Sequence, residues 1–159
     1  VTYPYPADLT VINQALVDKI VAGIGAGAYT LPFTAADVYY GDQERLPRTP
    51  SVCVESGDRP RNLAGVPNMT ENVFTHFILV YHNPVAELQQ TRKDVDHLAY
   101  QIEHWLHQDL QLKDSGGNPR LIYGFVINHE SGFTFKRETL YRTARLTFQG
   151  KNKTSLPVA

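Results

Sequence analysis

The chain has 159 residues and a mass of 17.9 kDa, the size of one ordinary domain that buries a core without disulfides or a structural metal. Its 15 Lys and Arg against 16 Asp and Glu leave a net charge of −1, which excludes bulk electrostatic attraction to nucleic acid or to an anionic membrane. The lone cysteine, Cys53, sits in the apolar run Ser51-Val52-Cys53-Val54; it reads as a small buried hydrophobe and fits a reducing compartment.

The start, Val1-Thr2-Tyr3-Pro4-Tyr5-Pro6, has neither the basic nor the apolar region of an export signal. No run of about 18 apolar residues occurs anywhere, so neither secretion nor membrane spanning is expected. A single domain over 1–159 is expected, with 1–7 and 150–159 as loosely ordered tails. Asp8 or Thr10 can cap a first helix whose apolar stripe is Leu9, Ile12, Leu16, Ile20 and Ile24. The run Gly23-Ile24-Gly25-Ala26-Gly27 ends that helix. It is not a phosphate loop, because it follows a helix instead of a strand and no lysine comes next.

Val38-Tyr39-Tyr40 and Thr49 to Ser56 read as short strands around a polar loop, Gly41 to Arg48. Gly57 to Asn72 has no hydrophobic period and is expected to be a long exposed loop, a candidate contact arm. Val73 to His82 alternates Phe74, His76, Ile78, Val80 and His82 against Thr75, Phe77, Leu79 and Tyr81, both sets largely apolar, as in a central strand covered on two sides. Asn83 and Pro84 then suit the cap and first position of a helix reaching Leu112. Its stripe is Leu88, Val95, Leu98, Ala99, Ile102, Trp105, Leu106 and Leu110, with His97, His104, His107 and Gln111 opposite. Asp114 to Pro119 breaks the chain. Leu121 to Asn128 resumes as a strand, His129 to Glu138 is a polar connection, and Thr139 to Gln149 is the last strand. The fold class is therefore α+β: a mainly antiparallel sheet of about four to five strands, a long helix on one face and an N-terminal helix.

No catalytic signature accompanies these elements. His104 with His107, or Glu103 with His107, has the spacing of metal ligands on a helix, but the pattern is not His-Glu-x-x-His and no second segment offers a third ligand. A solvated or partner-facing polar face is the expectation, with no metal and no cofactor; a small metal-dependent enzyme built on these histidines is the alternative of another class. Ser131 beside Gly132 lacks the Gly-x-Ser-x-Gly elbow. Asn68-Met69-Thr70 and Asn152-Lys153-Thr154 match the glycosylation acceptor pattern and are read as ordinary loop residues. The basic pairs Arg59/Arg61, Lys136/Arg137 and Arg142/Arg145 are short and have no sequence-reading motif behind them.

The order helix, glycine-rich connector, Tyr39-Tyr40 strand, Pro50-to-Val54 strand, long loop, Thr75-to-Tyr81 strand, Pro84-to-Leu112 helix and two final strands, over Asp8 to Gln149, resembles the tail terminator family of tailed bacteriophages. Head–tail connectors and tail-tube relatives share this kind of unit. The resemblance implies a non-enzymatic structural protein of the virion neck, assembled in the host cytoplasm. It implies a hexameric homo-oligomeric ring that caps the tail-tube protein and offers a surface to the head connector, meeting DNA only as the passing genome. The family brings no catalytic residues. Arg59 and Arg61 in the first long loop, and Phe133, Lys136 and Arg137 in the last connection, are the expected partner anchors.

Overall fold

The computed structural model describes residues 5–65, 68–83 and 88–155. Helix α1 (Leu9–Gly25) starts where Asp8 accepts the Thr10 N–H at 2.9 Å, a side-chain cap for a free backbone donor. It ends at Gly27, whose φ of +69° suits glycine. Strands β1 (Val38–Tyr40), β2 (Ser51–Ser56), β3 (Arg61–Leu63) and β4 (Met69–His82) follow, then helix α2 (Leu88–Leu106) and strands β5 (Tyr123–Lys136) and β6 (Thr139–Ser155). The sheet runs β1-β2-β4-β6-β5, with β3 also on β4.

The α+β class holds, but the sheet has six strands and is mixed, because β1 pairs with β2 in parallel. Both helices lie on one face. There Ile12, Leu16 and Ile20 of α1 and Leu98, Ile102 and Leu106 of α2 pack against Val52, Val54, Phe74, Ile78, Val80, Leu146 and Phe148. Alternate residues of the same strands, Cys53, Leu79, Tyr81 and Tyr141, form a smaller cluster on the other face under Leu46 of the Gly41–Arg48 loop. Strand β4 is central, as expected, but its second face is covered only at Leu79 and Tyr81, while Thr75 and Phe77 are half-buried.

Several boundaries differ from the sequence reading. Gly57 to Asn72 is not a free loop: the Gly57 N–H bonds the Thr75 carbonyl, the Thr75 N–H bonds the Asp58 carbonyl, and β3 pairs with residues Thr70 to Asn72. Strand β4 accordingly starts at Met69. Helix α2 stops at Leu106 instead of Leu112, since the Asp109 carboxylate takes the N–H groups of Gln111 and Lys113, a local alternative to helical bonding. Leu110, expected on the buried stripe, is 45% exposed. The expected polar connection His129 to Glu138 is strand up to Lys136, closed by a two-residue turn with Arg137 at φ 56°.

The expected loose tail continues β6 to Ser155, where Asn152 and Thr154 are buried; Asn152 of the second acceptor pattern is thus a core residue of a strand, not of a loop. At the other end, Tyr5 to Ala7 are half-buried. Residues 1–4 and 156–159 of the expected tails, the Pro84 helix start and the Leu88 side chain lie outside the described residues. No helix among the described residues is long and apolar enough to cross a membrane.

Candidate interaction surfaces

The longest feature beyond the helices is the β5–β6 hairpin, paired from Tyr123↔Lys151 to Lys136↔Thr139 with one irregularity between Val126 and Asn128. That bulge swaps the faces along β5. Below it, Tyr123 and Phe125 stack with ring centroids 6.1 Å apart beside Gln149 and Lys151, on the face away from the helices. Above it, Phe133 and Phe135 pair with Arg142 and Leu140 on the helix side. Phe135 is 70% exposed, and the Arg142 guanidinium lies 4.3 Å from the Phe133 ring centroid, a cation–π arrangement.

The arm is tied down at its end. Lys136 donates to the Asp42 carboxylate at 2.7 Å and to the Gln43 carbonyl at 2.5 Å, and its ammonium sits 4.7 Å from the Tyr81 ring centroid. The Tyr81 hydroxyl donates to the same carboxylate at 2.8 Å, and burial followed by that carboxylate pushes the phenol pKa up. Arg137, on the turn, faces Glu44 at 3.5 Å with both side chains exposed. Of the other expected anchors, Arg59 donates to the Ala7 carbonyl and Arg61 to the Thr70 hydroxyl at 3.3 Å. All five thus have a partner within the chain, and Arg61, Phe133 and Arg137 remain exposed. The fold does not gather the five into one patch: two flank the β3–β4 side and three the far end of the hairpin.

The helix histidines separate in the same way. His97, Tyr100 and His104 form an exposed aromatic row along α2, with centroids 6.5 and 6.3 Å apart. His107 is structural, its Nε2 accepting the Val126 N–H at 3.0 Å, so that nitrogen is not free to share an ion with His104. No group of three or more His, Cys, Asp or Glu side chains among the described residues is arranged to hold a metal. Ser131 donates to Asp96 at 2.5 Å, and His129 Nε2 lies 3.5 Å from the same oxygen. A nucleophile is activated when the imidazole stands between hydroxyl and carboxylate; here the carboxylate holds both directly, and Arg92 adds a fourth member at 3.8 Å. This cluster pins the arm to α2. Its partners Asp96 and Ser131 are 35 residues apart, and no local motif announces it.

On the face away from the helices an open groove runs between Glu55 and the hairpin, over Phe77 and Tyr81. Within it Arg145 lies 2.9 Å from Glu130 and 5.1 Å from the Phe77 ring centroid. No family model and no curated protein matches this chain. Among the described residues, β5 has β6 as its sole strand neighbour. Its outer edge thus carries backbone donors and acceptors with no adjoining strand, the template on which chains pair with other chains. His107 covers it at Val126. The opposite side of the sheet ends in β1 and β3, three residues each, and Leu63 of β3 is 79% exposed.

Proposed function

We propose that this chain is a structural assembly protein of the tailed-phage neck, a tail terminator that works by closing into a ring on the tail tube and presenting a surface to the head connector. The observation that carries the reading is the β5–β6 hairpin, 14 and 17 residues long, with exposed aromatics and an unneighboured edge on a domain whose short strands β1 and β3 lie at the opposite side of the sheet. Two different sheet edges on one chain are what a heterologous, head-to-tail contact needs, and such contacts form a ring when the rotation between copies closes. The exposed aromatics at the arm and at its base suit burial against protein. Lys136, Arg137 and Arg145 are each matched by a carboxylate of the same chain, which suits shape-based contacts more than capture of an ionic ligand at the hairpin.

The activity is binding, with no turnover. Particles made without the protein separate this reading from that of a connector or tube component. Loss of a terminator gives tails of abnormal length under the electron microscope, whereas loss of a connector gives full-length tails and heads that leak. Full-length tails in its absence overturn the terminator assignment. Purified protein that sediments as a monomer at every concentration, alone and with tail-tube protein, overturns the ring.

A further inference from the structure

The outer edge of β5 is interrupted twice at one point. Ile127 is the extra residue of the bulge, standing between the pairs Val126↔Phe148 and Asn128↔Thr147. Beside it, the Val126 N–H donates to His107 Nε2 at 3.0 Å. The imidazole comes from the far end of α2, where the His107 N–H donates to the Glu103 carbonyl at 3.0 Å, so helical bonding fixes its root. Accepting through Nε2 requires a neutral ring with its proton on Nδ1. The Val126 side chain is buried in the main core, which fixes the direction in which its N–H points.

Both interruptions fall in one window of the strand. Tyr123 to Asn128 reads Tyr-Gly-Phe-Val-Ile-Asn, with no charged residue and no proline, and Tyr123, Phe125 and Ile127 are exposed. An uncharged, aromatic and β-branched window on an open edge is the pattern that stacks into further strands. The remainder of β5 carries Glu130 and Lys136, and charge on an edge already opposes such stacking. A bulge and a side chain laid over the edge are two further devices that do the same. A hydrogen bond that served only to satisfy Val126 would have no reason to coincide with the bulge and with the uncharged window.

We infer that His107 and the bulge act together as a guard, which denies the Tyr123–Asn128 edge to a strand of a second copy. An incoming strand that needs the Val126 N–H as a donor meets the imidazole in its place. A regular strand also loses its spacing at Ile127, so it cannot bond evenly on both sides of the bulge. The guard thus works against open-ended edge pairing, a specificity device and not a docking site. It goes beyond the ring proposed above and does not depend on it, because a monomer with this edge needs the same protection.

The test compares three variants of the full chain with the parent: His107→Ala, the double variant His107→Ala/Ile127→Lys, and Ile20→Val. Ile20 is fully buried in α1, so its truncation lowers stability outside β5 and α2. Each protein is held at the urea concentration that leaves the same fraction folded, and sedimentation velocity and thioflavin fluorescence are followed over time. The expected result is loss of the parent's discrete boundary and a growing thioflavin signal in His107→Ala alone. The boundary returns in the double variant, where lysine puts a charge into the window. A His107→Ala protein that keeps the parent's boundary overturns the guard. Equal growth in Ile20→Val also overturns it, by assigning association to lost stability, and growth that persists in the double variant does so by placing association elsewhere. These results read the same whether the parent's boundary is that of a monomer or of a ring.

Discussion

His76 is fully buried in β4, with one ring nitrogen near the Leu9 carbonyl and Nδ1 without a partner. Burial lowers its pKa from 6.5 to about 4. Below pH 6.5 the unfolded chain takes up this proton and the folded chain does not. Stability from this residue is thus complete above that pH and falls as acid is added, levelling only below the folded value near 4. A shift of that size corresponds to about 3 kcal/mol. His82 is shifted the same way, again by burial. Urea unfolding followed from pH 7 to 4 should show a decline whose slope is reduced in His76→Gln; equal slopes in the two proteins would refute the assignment. Residue type alone did not disclose such roles. Arg59, Arg61 and Lys136 look in sequence like free cations, yet each reaches a partner more than eight positions away, and only the pairing of distant strands decides that.

Among the elements, the legible ones were those whose burial is periodic. The α2 stripe around Val95, Leu98 and Ile102 and the β4 alternation through Phe74, Ile78 and Val80 both lie in the core as the spacing required. Strand β3 and the upper half of β5 were not legible. Their residues are polar or exposed, and they are extended because β4 and β6 offer backbone partners, a context effect that overrides local preference. The base of the hairpin shows how tightly such pairing is built. Gly124 faces Gly150 in register, and a Cβ on Gly124 would stand 2.5 Å from Phe148 Cζ and 2.8 Å from Leu121 Cδ1. Gly124→Ala should therefore cost about 1–3 kcal/mol in chemical unfolding through overpacking. Gly132, with nothing within reach of an added Cβ, is the control. Equal stability of Gly124→Ala and the parent would show that the notch is loose.

At the scale of the whole molecule, the sheet has an unequal pair of faces. One carries both helices and most of the core, and the other is roofed only where Leu46 and Tyr39 pack on Tyr81. The class was readable because two amphipathic helices and apolar strands must share one interior. The surfaces for assembly were not, because they depend on which strand ends up at the edge. The two helices meet through the chain's single tryptophan: Trp105 Nε1 donates to the Lys19 carbonyl at 2.7 Å, and the Lys19 ammonium lies 4.6 Å from the indole centroid. That places one intrinsic fluorophore at the seam between α1 and α2, with a cation against its π-face. Emission from this indole should redshift whenever α1 lifts from α2, and a spectrum that stays fixed through denaturation would contradict that contact. The same optical signal reports, without any label, any rearrangement of the molecule that parts these two helices.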